Sequence, residues 1–206
     1  MLLFKSSEPK TPADWSRDGR FLLFNNTDPK TGADIWVLPM GASGSAKPEA
    51  YLKTDANEGN AHFSPDGRFG VYTSNESGIG EIYVRTFPDP TRGKWTVSKG
   101  DGQQPRWSRD GKELFYLSGL FFRRYGKGRG NTIPNPELLA VDVNTTPTFR
   151  PGIPKALFPL TNGQWDAAPD GKRFLALRPP AAPDPASAPP PAPITVVLNW
   201  AAGIRK

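Results

Sequence analysis

The chain has 206 residues and a net charge of +6, with 21 glycines, 24 prolines and no cysteine. Without cysteine, a disulfide framework, a thiolate nucleophile and a cysteine zinc site are all excluded. Hydrophobic residues make up 36% and charged residues 22%, a balance that excludes disorder over most of the length. Because glycine and proline both destabilise helix interiors, the composition favours short strands joined by turns.

An Asp-Gly pair recurs along the whole chain. The first two intervals between successive pairs lie near the ~40–50 residues of a propeller blade, and the third is longer. Aspartate accepts local hydrogen bonds and glycine adopts positive φ without strain, so each pair predicts a hairpin turn. We expect these residues to be structural, since they occur once per repeat, and we expect Gly67→Val to destabilise the fold. The predicted turn residues are Asp18, Gly19, Asp66, Gly67, Asp110, Gly111, Asp170 and Gly171.

Strand-like runs around each pair predict a four-stranded antiparallel meander. In chain order, the predicted blades cover residues 11–53, 60–98, 103–158 and 164–200. The third run of each blade is apolar at nearly every position, as expected for a strand buried on both faces. The predicted fold is therefore all-β, a β-propeller or propeller fragment of four blades in a single domain.

The two ends of the chain do not determine whether this propeller is a closed ring. The last blade lacks a fourth strand, and an extra apolar run precedes the first blade, within residues 1–5. This run either supplies the missing strand and closes a four-bladed ring, or is the outer strand of a further blade in a larger propeller. Closure would remove the exposed sheet edges, but the number of strands does not decide between the two.

Two insertions, residues 118–137 and 178–193, follow the second strand of the third and fourth blades. Both therefore emerge on the face opposite the Asp-Gly turns, and we predict that this insertion-bearing face binds a protein or a small polar ligand. The proline-rich second insertion is interpreted as a stiff spacer or as a docking segment. The first insertion is interpreted either as a solvated loop or as the contact surface formed by Arg123, Arg124, Tyr125, Lys127 and Arg129. Nucleic acid is disfavoured as a partner, because no RNA-binding motif is present.

A polar residue precedes each repeat aspartate by four positions. These residues are Asp14, His62, Arg106 and Asp166. Equivalent positions place them at one level of the innermost strands, where they would bind a small polar ligand or a cation, or form ion pairs between blades. One histidine and two carboxylates are too few for a convincing metal site, so neither a metal nor a cofactor is expected. His62 has no nucleophile beside it in any recognised catalytic motif.

The repeats resemble those of TolB-like and WD-repeat-like propellers. The hallmark of these repeats is an aromatic residue before Ser-Pro-Asp-Gly-Lys/Arg, followed later by an acidic residue and Ile-Tyr/Trp-Val. Phe63-Ser-Pro-Asp-Gly-Arg68 with Glu81-Ile-Tyr-Val84 matches closely, and Trp15-Ser-Arg-Asp-Gly-Arg20 differs by Arg in place of Pro. Ala167 replaces the aromatic residue in the last repeat.

A narrower resemblance is to the propeller region of bacterial receptor-like serine/threonine kinases. It rests on Asp14-Trp-Ser, Tyr72-Thr-Ser-Asn-Glu-Ser77, Phe87-Pro88, Glu113-Leu-Phe-Tyr116 and the run from Ile194 to Trp200. This resemblance implies that the chain is a non-catalytic interaction or sensing propeller, separated from a kinase domain. No kinase or hydrolase motif occurs in the sequence, so the chain is not expected to be an enzyme.

Two other functions stay open from the sequence. Prolyl oligopeptidase-like hydrolases carry similar repeats as a gating propeller, and TolB-like proteins use them as a periplasmic scaffold. The sequence has no signal-peptide pattern and no membrane-length apolar run. As written, the chain would be cytoplasmic; as part of a receptor kinase, it would lie outside the cytoplasm.

Overall fold

The computed structural model describes residues 5–41, 47–119, 136–160, 164–168, 170–177 and 194–197. Within these ranges every helix or strand assigned is a β-strand, which confirms the predicted all-β class. The described part contains no helix long and apolar enough to cross a membrane. Residues 1–4 of the proposed closing strand lie outside the described residues, as do residues 120–135 and 178–193 of the two insertions. The predicted contacts Arg123, Arg124, Tyr125, Lys127 and Arg129 are therefore also outside the description.

The strands form four antiparallel sheets in chain order. Sheet 1 contains β1 (Lys10–Trp15), β2 (Phe21–Asp28), β3 (Gly32–Pro39) and β4 (Glu49–Leu52). Sheet 2 contains β5 (Glu58–Phe63), β6 (Phe69–Ser74), β7 (Glu81–Thr86) and β8 (Lys94–Thr96). Sheet 3 contains β9 (Gln103–Trp107), β10 (Glu113–Ser118), β11 (Glu137–Asn144), β12 (Arg150–Pro151) and β13 (Lys155–Pro159). Sheet 4 contains β14 (Trp165–Ala167), β15 (Phe174–Leu177) and β16 (Ile194–Val197).

Sheet 3 differs from the predicted meander at its outer edge. Both β12 and β13 pair with β11, β12 opposite Val143 and Asn144 and β13 opposite the start of the strand. Strand β12 was not predicted from the sequence, because a two-residue strand that contains Pro151 carries no alternating pattern. Sheet 4 has three strands in the described part of the chain.

In the described part of the chain, the hydrophobic core is divided into three layers, each between two successive sheets. Strand β10 shows why: Leu114 and Tyr116 pack between sheets 2 and 3, whereas Phe115 and Leu117 pack between sheets 3 and 4. Successive side chains of a strand point to opposite faces of the sheet. A strand in an inner sheet therefore needs apolar residues on both faces. The layer between sheets 1 and 2 includes Leu23, Ile35, Val37, Phe63 and Tyr72.

The four Asp-Gly turns share a positive-φ glycine and its backbone hydrogen bond. Gly19, Gly67, Gly111 and Gly171 have φ of 74°, 69°, 72° and 65°, and each amide donates to the carbonyl three residues earlier. In the first three turns the serine hydroxyl donates to the aspartate, at 2.7, 2.6 and 2.7 Å, and accepts from the amide five residues later. Ala168 in the fourth turn has no hydroxyl, so this turn lacks both bonds. The turn aspartates are Asp18, Asp66, Asp110 and Asp170.

Candidate functional site

Irregular backbone positions the predicted polar residues on the innermost strands. The pairing of β1 with β2 shifts register between Pro12 and Asp14, and that of β5 with β6 shifts between Gly59 and His62. A comparable shift in β9 lies between Gln103 and Arg106, opposite residues 115–117. Bulges of this kind re-aim the side chains that follow them. Within the second and third shifts, Asn60 and Gln104 adopt left-handed φ values of 52° and 53°.

Asp14, His62, Arg106 and Asp166 form a charged row across the four sheets. One guanidinium nitrogen of Arg106, Nη1, lies 2.6 Å from His62 Nε2, and Asp14 Oδ2 lies 3.6 Å from His62 Nδ1. Arg106 Nε lies 3.9 Å from Asp166 Oδ1, which extends the row to sheet 4. Asp14 Oδ2 also accepts a 2.8 Å hydrogen bond from the Phe63 amide. The structure thus brings together the four residues that the repeat positions placed at one level.

The row determines how His62 uses its two ring nitrogens. A guanidinium can only donate hydrogen bonds, so Nε2 of His62 must accept from Arg106 and carries no proton. In the neutral ring the proton is then on Nδ1, which faces Asp14. Both nitrogens are therefore engaged within the row.

Arg106 is the most constrained charge of the row. Burial lowers the pKa of its guanidinium, while the carboxylates of Asp166 and Asp14 act in the opposite direction. Its Nη1 also donates to the Pro105 carbonyl at 2.9 Å. Asp166 is more loosely held, with 72% of its side chain exposed.

A depression of about 210 Å³ lies over the row. Asp14, His62 and Arg106 line it together with two tryptophans, Trp15 and Trp107. Trp15 is 52% exposed, and its indole N–H donates to the Gly19 carbonyl at 3.1 Å. The volume is below the ~300–1,000 Å³ typical of pockets that enclose a whole small molecule, so the depression fits one functional group of a larger ligand.

The surface around this depression belongs to the Asp-Gly turns. A depression of about 280 Å³ is lined by residues from three turns, Arg17, Pro65 and Arg109 among them. The sequence predicted recognition on the opposite, insertion-bearing face, whose insertions lie mostly outside the described residues. The repeat pattern alone did not predict binding at the turn face. The sequence signal that could have identified this surface is arginine at positions 17 and 109, where the repeats of TolB-like propellers carry proline.

Among the residues that the structure describes, no group of carboxylates, histidines or cysteines could hold a metal ion. The row itself offers one imidazole and two carboxylates, and Arg106 lies between His62 and Asp166. A guanidinium in that position repels a metal ion. The described geometry therefore favours a polar or anionic ligand over a cation at this point of the fold.

Solved structures share the arrangement of the sheets. TolB from Acinetobacter baumannii matches with a TM-score of 0.59 and 19% identity, covering 83% of this chain and 38% of that one. A puromycin-hydrolyzing peptidase of Mycobacterium tuberculosis matches with a TM-score of 0.59 and 15% identity, covering 95% of this chain and 28% of that one. The tricorn protease matches with a TM-score of 0.52 and 14% identity, covering 87% and 20% of the two chains.

These likenesses confirm a TolB-like β-propeller fold and show the fold alone. The chain spans 38% of the length of the Acinetobacter protein. No protein-family profile and no curated protein sequence matches the chain. The narrower resemblance to kinase-associated propellers stays a prediction.

Proposed function

We propose that this chain is a non-catalytic recognition propeller, which binds a polar group of a partner or ligand in the depression over the charged row. The observation that carries the proposal is the row itself, in which Asp14, His62 and Arg106 are held by one another next to a half-exposed tryptophan, Trp15. Preorganised charges beside an aromatic surface are characteristic of binding sites, since arginine and tryptophan are enriched among the few residues that dominate the affinity of interfaces.

The proposal that the chain is not an enzyme rests on how the row is used. A general base needs a free ring nitrogen within reach of a substrate proton. Both nitrogens of His62 face protein groups, and Asp14 accepts the Phe63 amide. The row therefore suits binding and orientation better than proton transfer.

The larger protein that contains this propeller is proposed to be a bacterial receptor-like serine/threonine kinase. Support comes from the sequence resemblance, notably Tyr72-Thr-Ser-Asn-Glu-Ser77 and Phe87-Pro88. In that setting the propeller would bind its ligand outside the cytoplasm. A TolB-like scaffold that binds other proteins is compatible with the same fold.

A second candidate function is the gating propeller of a prolyl oligopeptidase-like hydrolase. The observation that favours it is the match to the Mycobacterium tuberculosis peptidase, which covers 95% of this chain. In such an enzyme the propeller would restrict access to a catalytic domain carried elsewhere. Reading the coding sequence on both sides of this chain separates the candidates: a kinase domain and membrane helix support the first, and a hydrolase domain supports the second.

His62 offers a direct test of ligand binding, because it is the only histidine in the chain. We would label the ring with ¹⁵N and record its resonances while adding acetylated amino-acid amides with anionic, cationic or neutral polar side chains. One class is expected to shift the His62 resonances in a saturable manner. Arg106→Leu is expected to weaken that binding by roughly tenfold or more, the usual contribution of a charge-assisted hydrogen bond.

The control is Arg150→Leu, which removes an exposed guanidinium from β12, away from the row. This variant should bind as the wild type does. If Arg106→Leu folds poorly, Arg106→Lys is measured in its place and should retain part of the affinity. The proposal is wrong if no class shifts His62, or if Arg106→Leu and Arg106→Lys both bind unchanged. Turnover of peptide or glycoside substrates by the purified chain would contradict its non-catalytic part.

A further inference from the structure

Two arginines occupy turn positions where the fold does not require arginine. The residue before the repeat aspartate is Arg17, Pro65, Arg109 and Pro169 in the four repeats. Turn 2, which has Pro65, forms the same serine and glycine hydrogen bonds as turns 1 and 3. The guanidinium groups of Arg17 and Arg109 therefore contribute nothing that the turn geometry needs.

Neither arginine has a hydrogen bond or ion pair within the described part of the chain, and both are exposed. Neighbouring arginines of the same loops behave differently. Arg20 pairs with Asp18 at 2.6 Å, and Arg68 pairs with Asp66 at 2.8 Å. The turn aspartates are thus engaged by their own loops, and the donors of Arg17 and Arg109 stay available.

Arg17 and Arg109 line the depression over the charged row, together with Arg106. Among the described residues, Asp14 is the one carboxylate that lines it, and one of its oxygens already accepts from the Phe63 amide. Three guanidinium groups line the depression, and Asp166 lies 3.9 Å from one of them, Arg106. Arg106 is balanced by Asp14 and Asp166, whereas Arg17 and Arg109 have no carboxylate partner among the described residues, so these two guanidinium groups complement a dianion.

We propose that this depression binds a phosphate monoester, with Arg17 and Arg109 holding the phosphoryl oxygens and the row beneath orienting Arg106. This inference rests on the proposed recognition function and names its ligand class. A phosphate monoester carries a charge of about −1.5 to −2 at neutral pH, whereas a carboxylate carries only −1. Guanidinium groups bind phosphate through two parallel hydrogen bonds, so arginine suits this role better than lysine.

The size and walls of the depression agree with one phosphoryl group rather than a polyphosphate or a nucleic-acid strand. Its volume is about 210 Å³. The half-exposed indole of Trp15 offers an apolar wall for the atoms that carry the phosphate. A strand of nucleic acid would need several stacking residues along a longer groove.

The test uses the whole chain and the probe acetyl-phosphoserine amide, followed by the His62 ring resonances and by calorimetry. Inorganic phosphate, acetyl-serine amide and acetyl-glutamate amide serve as comparison probes. We expect the phosphoserine derivative to bind at least about tenfold more tightly than the glutamate derivative, and to bind more weakly as salt is added. The unphosphorylated serine derivative should not bind.

The decisive variant is Arg17→Pro/Arg109→Pro, which gives turns 1 and 3 the residue that turn 2 already has at this position. Its turns should form normally, and its affinity for the phosphoserine derivative should fall at least about tenfold. Arg150→Leu is the matched control and should leave the affinity unchanged. Undiminished binding by the double variant would overturn the assignment of Arg17 and Arg109.

The comparison probes separate the sources of phosphate and the two proposals. Tighter binding of the phosphoserine derivative than of inorganic phosphate supports a phosphorylated protein as the ligand; equal binding supports the free anion instead. If a carboxylate or cationic probe shifts His62 but the phosphoserine derivative does not, the phosphate assignment is wrong and the recognition function stands. If no probe shifts His62, both are wrong.

Discussion

Glycine is required at the hairpin turns because of the backbone conformation and not because of lack of space. Gly67 has a φ of 69°, and a β-carbon built there would have no heavy atom within 4 Å. The cost of a side chain at this position therefore comes from the left-handed conformation alone, which is worst for β-branched residues.

Gly67→Val is expected to lower the free energy of unfolding by about 1–2 kcal/mol, because valine strongly disfavours positive φ. Gly67→Asn should cost clearly less, since asparagine tolerates this region. Chemical denaturation of both variants measures the difference. Equal losses in the two variants would mean that steric contact, and not φ, makes glycine necessary.

At the scale of the element, a hairpin turn can be stabilised where its sequence departs from the repeat. Turn 4 has Ala168 in place of serine, although its backbone bonds from Ala168 to Arg173 and from Gly171 to Ala168 are formed. Ala168→Ser would add a hydroxyl that accepts from the Arg173 amide and donates to Asp170. We expect a gain of about 0.5–1.5 kcal/mol in unfolding free energy. Ser108→Ala in turn 3 is the reciprocal variant, and its denaturation midpoint should fall.

Acid should weaken all four turns together. The Ser16 hydroxyl and the Arg20 amide lower the pKa of Asp18 to about 2, and hydrogen bonds from Ser108 and the Lys112 amide lower the pKa of Asp110. A carboxylate with a lowered pKa stabilises the fold when the pH is above the ordinary pKa of that group. This contribution is lost as the pH falls through the pKa that the group has in the folded protein. Burial raises the pKa of Glu58 and of Asp34, whose contributions are instead lost as pH rises.

The contribution of one turn can be isolated with Asp110→Asn. Denaturation midpoints of this variant and of the wild type would be compared between about pH 5 and pH 2. The variant should lose less stability on acidification, since it has one lowered carboxylate fewer, while Glu58 and Asp34 are the same in both proteins. Parallel pH profiles would show that the hydrogen bonds of turn 3 do not influence titration.

At the scale of the whole molecule, stability depends on the layers between sheets. Leu114 is fully buried between sheets 2 and 3, whereas Leu175 on sheet 4 is 44% exposed. Leu114→Ala should therefore reduce the unfolding free energy by about 2–5 kcal/mol, through lost burial and a cavity. Leu175→Ala should cost much less. A small effect of Leu114→Ala on the denaturation midpoint would contradict the packing of sheet 2 on sheet 3.

The repeat made most of the architecture predictable from the sequence. Asp-Gly pairs mark local turns, and equal spacing from them places Asp14, His62, Arg106 and Asp166 at one level. The bulges before His62 and Arg106 were not predictable, because neither Asn60 nor Gln104 belongs to a sequence pattern for left-handed backbone inside a strand. Strand β12 and the joint position of Arg17 and Arg109 depend on how distant segments pack.

The tautomer of His62 tests the central claim, that charges from successive sheets meet in one row and form a binding site. The measurement is a long-range ¹H–¹⁵N spectrum of the labelled ring at about pH 8.5, well above the ordinary histidine pKa of about 6.5. We expect a proton on Nδ1 and an unprotonated Nε2 that accepts from Arg106, with this preference lost in Arg106→Leu. A proton on Nε2 in the wild type would contradict this, because that nitrogen could then not accept from a guanidinium and the hydrogen bond that joins sheets 2 and 3 in the row would not exist.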